Sequence, residues 1–436
     1  MEGNIAEQSL GQIIKPKRAR ILVMGIGGGG CNAIDDMISF GITSAEFVAV
    51  NTDTQALETS IAPVKIPIGV KTTQGLGAGA IPEKGKSAAN ESRDEIRNLL
   101  QGVDLLFITA GMGGGTGTGA APVIAEIAKE KNILTIAVVT KPFDFEGPVR
   151  AKNAEEGIAA LSPLVDTLIV IPNENLLDIP GNDEFVAAFK YANSMLRDAV
   201  RSIADVIAKP AKINLDFNDV KTIMQGKGMA HLSIGEAEGI DKVEKAMNSA
   251  IMSDLLGTNV AGATGIMLNI IGGPNLSLRD IRNASNRMRA IASKDCNIIF
   301  GAGIDETFDD KVQVTVVATG FTKPSKQAGI FGNNGGTAGG MMTNQELTEF
   351  LSKKNLLFTP NNQQRQQMTQ PVGGFNPGQM NQIPQEPVQQ PVKTPVYDSP
   401  FTQNRPMNNQ TNNAQPQPSE QSRIPLKPWQ SKMKNN

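Results

Sequence analysis

At 436 residues the chain is too long for one ordinary hydrophobic core, and its 41 basic and 43 acidic residues nearly cancel, which argues against nucleic acid or an anionic membrane as its main partner. Two cysteines, Cys31 and Cys296, exclude a disulfide framework and cannot build a zinc site on their own, so a reducing, cytosolic compartment is expected. No stretch approaches the roughly 20 apolar residues that cross a bilayer, and the apolar run behind Lys15, Lys17, Arg18 and Arg20 is cut short by glycines, so neither a signal core nor membrane insertion is expected.

After an N-terminal extension of residues 1–19, apolar β-branched runs alternate with helical patterns. Ile21–Met24, Phe47–Val50, Leu105–Ile108, Leu134–Val139 and Leu168–Ile171 read as buried strands, and their rhythm predicts a doubly wound parallel α/β sheet over residues 20–184. The first strand runs into Gly25-Ile26-Gly27-Gly28-Gly29-Gly30, which satisfies the G-x-G-x-x-G dinucleotide fingerprint, and Asp53 lies near the end of the next strand. Taken alone this suggests NAD. Four consecutive glycines satisfy many patterns, however, and the fingerprint leaves a second glycine loop unexplained.

Ala80-Ile81-Pro82-Glu83-Lys84-Gly85-Lys86-Ser87 nearly meets the P-loop pattern but has Ala at the first glycine position. It also follows a loop instead of a buried strand, and Pro82 suits the first turn of a helix that would already contain the Gly-Lys-Ser. Lys86 is therefore expected to be a solvated helix residue. The second glycine loop is the strongest signal in the chain: Gly111-Met112-Gly113-Gly114-Gly115-Thr116-Gly117-Thr118-Gly119 joins the strand at Leu105–Ile108 to a helix opening at Ala120. Backbone amides stripped of side chains, facing a helix N-terminus, can wrap an anion, and both threonines can add hydroxyl donors. Two anion loops on one sheet favour a nucleoside triphosphate.

Residues 185–209 carry apolar side chains at helical spacing over a wide arc and predict a buried central helix joining two domains. A second, smaller α/β domain follows over 210–321, with helices expected at Val243–Leu255 and Leu278–Ile291 and strands at Ile266–Ile271, Asn297–Phe300 and Val312–Ala318. From residue 322 onward the character changes. This part holds 14 of the 26 prolines and many Asn and Gln, so it cannot bury enough surface to offset ordering entropy; 322–420 is expected to be a disordered linker, with a short amphipathic piece at Gln345–Leu351. The only tryptophan, Trp429, sits near a basic tip at Lys432 and Lys434, which suggests a docking peptide over 421–436.

With both loops placed, Gly113–Gly119 resembles the tubulin-superfamily signature, and residues 20–321 resemble the FtsZ family of bacterial cell-division GTPases. The likeness rests on several motifs in order: Gly28-Gly29-Gly30-Cys31-Asn32, Asn51-Thr52-Asp53, Gly75-Leu76-Gly77-Ala78-Gly79-Ala80, the signature loop, Thr140-Lys141-Pro142-Phe143-Asp144-Phe145-Glu146-Gly147, Ile171-Pro172-Asn173, and Asn214-Leu215-Asp216-Phe217-Asn218-Asp219-Val220. The resemblance implies that Gly28, Gly29, Gly30, Gly114, Gly115, Thr116 and Gly117 meet the phosphates of GTP or GDP, with Mg2+ expected alongside. Within the same motifs it implies nucleotide contacts at Asn51, Asp53, Ala78, Gly79, Thr140 and Pro142. Glu146 and Arg150 fit its ribose and phosphate contacts, against an ordinary helical ion pair as the plainer reading. Asn32, Asn173 and Asn193 fit the guanine-reading positions, with Phe189 stacking on the base; Asp is frequent in the family at position 193, and Asn offers one oxygen and an amide instead of two oxygens.

No histidine lies near the glycine loops: His231 is the only one and falls in the second domain, where a structural role is expected. The resemblance supplies the missing acids from a neighbouring subunit through Asn214, Asp216 and Asp219, whereas a helix-capping role is the plainer reading of the two acids. It implies a head-to-tail homopolymer, since such contacts do not close on themselves. It further implies a cytoplasmic location at the mid-cell division ring and membrane-anchoring and regulatory division proteins as partners of residues 421–436. Arg423 replaces the acid usual before Ile-Pro in that peptide, and Trp429 comes late. Two rival readings remain at this point: a nicotinamide-dependent oxidoreductase and a non-catalytic GTP-binding scaffold.

Overall fold

Successive strand residues feed two different cores in the computed structural model, which describes residues 18–177, 184–209, 213, 215–252, 260 and 262–321. The first half contains β1 (Ile21–Ile26), α1 (Gly27–Ser39), β2 (Glu46–Asn51), α2 (Thr54–Thr59), β3 (Val64–Pro67), α3 (Val70–Thr73), α4 (Pro82–Glu91), α5 (Arg93–Leu99), β4 (Leu105–Gly111), α6 (Thr116–Glu130), β5 (Leu134–Lys141), α7 (Pro148–Leu161) and β6 (Thr167–Pro172). Its strands pair in the order β3-β2-β1-β4-β5-β6, all parallel. Ile21 and Val23 join Leu105, Phe107, Ile136 and Val138 in one core, while Leu22, Met24 and Ile26 join Leu106, Ile108, Ala137 and Val139 in another. A strand covered on both faces has no polar side, which is why these runs read as continuously apolar.

The second half contains α8 (Phe185–Ala208), α9 (Phe217–Met224), β7 (Gly228–Glu238), α10 (Lys242–Ile251), β8 (Gly265–Gly272), α11 (Leu278–Ile291), β9 (Asn297–Ile304) and β10 (Lys311–Thr319). Two residue pairs, Thr167 with Gly228 and Leu168 with Met229, carry the sheet from β6 into β7. There it becomes mixed, in the order β7-β10-β8-β9, with β10 antiparallel to β7 and β8, and β8 parallel to β9. Leu196, Val200 and Ile203 of α8 share one core with Met224, Leu232, Met267 and Val317, so the central helix is buried against both halves. Its first turns differ from the expectation of burial: Val186 and Phe189 are exposed, Phe189 by 37%.

Two strands escape sequence reading. β3 is four residues long and ends in proline, and β7 contains glycines at 228 and 235 that dilute its pattern. Gly235 is there for contact: a Cβ would lie 2.0 Å from the Ala246 carbonyl oxygen of α10. α10 ends at Ile251, and the remainder of the helix expected to reach Leu255 lies outside the described residues, as do residues 1–17, Asn214 and the whole of 322–436.

The near-P-loop proves to be helix contact. Pro82 is the first residue of α4, Lys86 is exposed, and Gly85 lies inside the helix, where a Cβ would come 2.2 Å from the Gly115 carbonyl oxygen. Reciprocally, a Cβ on Gly119 would come 1.9 Å from the Pro82 carbonyl oxygen. These glycines let α4 and α6 touch backbone to backbone.

Candidate functional site

Both glycine loops leave the carboxyl ends of neighbouring strands, since Ile26 of β1 pairs with Ala110 of β4. Loops at that edge of a parallel sheet face a crevice. Here the crevice is a cavity of about 480 Å³, lined by Gly27, Gly28, Gly29 and Asn32 on one side and Gly111, Met112, Gly114, Gly115, Thr116 and Gly117 on the other. The glycines divide into two kinds. A Cβ on Gly28 or Gly114 would meet nothing within 4 Å, whereas one on Gly27 would come 2.9 Å from the Gly117 amide nitrogen and one on Gly117 would come 2.7 Å from the Gly111 oxygen. The first pair borders open space; the second lets the two loops lie against each other.

The helices that begin at this cavity, α1 and α6, have no acidic residue in their first turns. Their unpaired amides and positive dipole ends are therefore left uncompensated, an arrangement that favours a bound anion. The two signature threonines are committed within the protein: Thr118 Oγ1 accepts from the Gly113 amide at 2.9 Å, and Thr116 Oγ1 lies 2.6 Å from Thr52 Oγ1. Thr118 does not line the cavity, and its contact with Gly113 shapes the loop.

The far wall comes from β5, α7, β6 and α8, through Thr140, Pro142, Glu146, Arg150, Asn173, Phe189, Asn193 and two residues that sequence reading missed, Ala192 and Leu196. Arg150 donates to Glu146 Oε2, and Glu146 Oε1 accepts from the Phe143 amide at 3.1 Å, so the ion pair of the plainer reading is present and stands at the cavity wall. Asn173 is only 5% exposed, and its Oδ1 has no hydrogen-bond partner among the described residues. A buried acceptor left open beside a cavity can take a donor from a ligand or a water. Phe189 meets Phe143 edge to face at 5.1 Å, which fixes its ring at the rim.

Five residues expected in the site do not line the cavity: Gly30, Asn51, Asp53, Ala78 and Gly79. Gly30 is a packing glycine, with a Cβ position 2.4 Å from the Thr109 oxygen. Asn51 Oδ1 accepts from the amides of Thr52 and Asp53, and Asp53 Oδ1 caps α2 by accepting from the Ala56 amide at 3.1 Å. A ribose-binding acid would have to face the crevice, so the capped Asp53 speaks against the dinucleotide reading. Ala78 is buried, and a Cβ on Gly115 would come 2.7 Å from its own Cβ, so it packs behind the signature loop. Gly79 has a left-handed φ of 61° and supplies a turn. Gly27 and Gly111, which do line the cavity, were missed because a run of glycines gives no residue-by-residue cue.

Cys31, directly under the first loop, is buried with its thiol within reach of the Gly25 and Val50 carbonyls; burial pushes it up to about 12, which disfavours the thiolate. His231 is fully buried on β7, where burial pushes its pKa down to about 4, in keeping with a structural role. Asp216 and Asp219 lie elsewhere. They form a capping box at the start of α9, Asp216 Oδ1 accepting from the Asp219 amide at 2.9 Å and Asp219 Oδ2 from the Asp216 amide at 3.1 Å. Each carboxylate uses one oxygen in this way, and the neighbouring Ile213 and Leu215 line a different cavity beside α8 and β9.

The sequence profile of the GTPase domain of the Tubulin/FtsZ family matches residues 20–181, and that of the FtsZ family C-terminal domain matches residues 228–322. Among solved structures, an empty FtsZ dimer from M. jannaschii is 44% identical, with a TM-score of 0.68 over 70% of this chain and 89% of its own. CetZ1 from Haloferax volcanii, a GDP-bound monomer, is 21% identical with a TM-score of 0.61 over 70% of this chain and 94% of its own. CetZ2 from the same organism, a GTPγS-bound protofilament, is 18% identical with a TM-score of 0.59 over 77% of this chain and 99% of its own. The last two share the fold.

Proposed function

This chain belongs to the FtsZ family of tubulin-like GTPases, and from that premise we propose that it assembles head to tail into the filaments of a bacterial division ring and hydrolyses GTP where two subunits meet. Binding of GTP and GDP, GTP hydrolysis and self-association follow from the family. The assignment of individual residues, the division ring and the remaining partners are our own reading. One observation carries it: the cavity offers anion-binding amides, and its only carboxylate among the described residues, Glu146, is held by Arg150, while the acids suited to polarising a water sit apart at the start of α9. A complete site then requires the Asn214–Asp219 loop of a second copy.

In this reading Gly28, Gly29, Gly114, Gly115, Thr116 and Gly117 cradle the phosphates, Thr140, Pro142, Glu146 and Arg150 border the ribose and phosphates, and Asn32, Asn173 and Asn193 read guanine beside Phe189. Asp216 and Asp219 orient the attacking water, an effect worth roughly 10²–10⁴-fold in rate. Among the described residues the cavity offers no cage of acids for Mg2+, so a Mg2+ ion would take its ligands from phosphate oxygens and water, where it would neutralise phosphate charge. Leu76, Phe145 and Val149, on elements that carry or flank the cavity wall, are 83%, 64% and 70% exposed and give the next subunit an apolar surface. No helix among the described residues is long and apolar enough to cross a membrane, so recruitment to the membrane at mid-cell falls to the peptide at 421–436 and an anchoring partner.

The test is phosphate release per subunit across protein concentration, with GTP and then ATP. We expect activity to rise steeply above an assembly threshold with GTP and to stay near zero with ATP. A specific activity that stays flat from well below to well above that threshold removes the shared site.

A further inference from the structure

Asn51 is the last residue of β2 and Thr52 and Asp53 follow it, yet none of the three lines the cavity. Thr52 is the residue of the three that connects to the cavity wall. It is 1% exposed, and it has ties in two directions. Its carbonyl oxygen accepts from the Gly77 amide at 3.1 Å and from the Thr73 hydroxyl at 3.3 Å, which holds the glycine-rich segment 74–80 in place. Its hydroxyl lies 2.6 Å from that of Thr116, the cavity-lining residue that opens α6.

A threonine hydroxyl has one proton and two lone pairs. At 2.6 Å one of the two hydroxyls donates to the other, and the choice decides what Thr116 shows to the cavity. If Thr116 donates to Thr52, only lone pairs face the ligand. If Thr52 donates to Thr116, the Thr116 proton is left to point into the cavity. An anion in the cavity selects the second arrangement, because aligned O–H groups polarise one another and a hydrogen bond ending on a charged oxygen is the stronger kind.

We infer that Thr52 is a positioning residue for GTP hydrolysis: its buried hydroxyl donates to Thr116, which thereby donates its own proton to a phosphate oxygen of the bound nucleotide. The inference rests on the cavity being the GTP site. It gives the Asn51–Asp53 segment a task at one remove from the ligand. Asn51 and Asp53 fix the backbone on either side of Thr52, and Thr52 acts through Thr116.

The experiment is a double-mutant cycle of Thr52→Val and Thr116→Val, with Thr52→Ser as the conservative variant and Thr52→Ala as a second hydroxyl-free variant should the valine fail to fold. kcat and KM for GTP are measured in assembled protein, with thermal melting alongside. Thr52→Val is expected to lower kcat/KM by roughly three- to tenfold, the range of one lost hydrogen bond. Thr52→Ser should restore most of the loss, and in the Thr116→Val background Thr52→Val should cost nothing further, since coupled residues are not additive. A purely structural Thr52 would lower the melting temperature, keep kcat/KM well below it, and add its effect unchanged to that of Thr116→Val; either kinetic result overturns the inference. If Thr116→Val itself leaves GTP turnover at the wild-type level, the cavity assignment fails instead, and the inference falls with it.

Discussion

The cavity wall and the start of α9 are made of opposite materials. The first presents glycine amides and two helix N-termini with no acid in their first turns. The second presents two carboxylates held in a capping box. An anion site cannot place uncompensated acids among its donors without repelling a polyphosphate, whereas activating a water calls for such acids. Separating the two along the molecule satisfies both demands, provided that a second copy brings them together. The difference between these regions suggests why hydrolysis and assembly would be coupled in one chain.

The sharpest way to break this comparison is at Asp216. Asp216→Asn keeps a side-chain oxygen for the cap but loses the charge, and we expect GTP turnover to fall by roughly 10²–10⁴-fold while filaments form and last longer. Asp216→Ala should lose turnover similarly and also lower stability by about 0.5–2 kcal/mol. Phosphate release and melting of the two variants separate the roles: if Asn retains full turnover, the loop is a cap and nothing more.

Within the cavity wall, two glycines give a contrast of the next size. Gly119→Val drives a side chain into the α4 backbone and should destabilise the fold by about 1–3 kcal/mol, seen as a lower denaturation midpoint. Gly28→Ala points into open space, so its midpoint should stay unchanged while GTP affinity falls. Equal melting of the two variants would refute the division of the glycines into packing and ligand-facing kinds.

The second half carries a pH dependence centred on a buried histidine, whereas the shifted acidic groups of the first half are carboxylates and a thiol. His231 has a folded pKa of about 4 against an ordinary value of 6.5, so above 6.5 both states are neutral and no penalty exists. As pH falls from 6.5 toward 4 the unfolded chain takes up a proton that the folded one refuses, and stability declines. His231→Gln should flatten this decline, measured as the urea midpoint against pH; an unchanged slope would place the titration elsewhere.

The smallest effect on turnover is expected from removing residues 322–436. Hydrolysis and polymerisation should be nearly unaltered, while recruitment to the membrane is lost and Trp429→Ala reproduces most of that loss. Normal membrane localisation of the truncated protein in cells would defeat the tether reading.

Much of this architecture is written in local pattern. Five of the six parallel strands and the helix at Leu278–Ile291 follow from runs of β-branched residues and from helical periodicity, because burial on both faces or on one stripe acts on each segment separately. The two glycine loops are equally legible, since so many residues without side chains serve few purposes besides close approach and anion binding. What the pattern could not assign was the duty of each glycine: Gly27, Gly30, Gly85 and Gly119 answer to backbone atoms far away in sequence, at distances that only the folded chain defines.

The same limit applies to the polar residues. That Asn51, Asp53 and Thr118 are spent on amides within the loops, that Thr52 reaches Thr116 across 64 positions, and that β7 carries the parallel sheet into a mixed one were decided by tertiary structure. A hydrogen bond is satisfied by whichever partner the fold brings within about 3 Å, and sequence spacing does not encode that meeting. Composition and periodicity thus determined which segments form strands, helices and glycine loops, and tertiary packing alone determined which of their side chains face the cavity and which hold its walls.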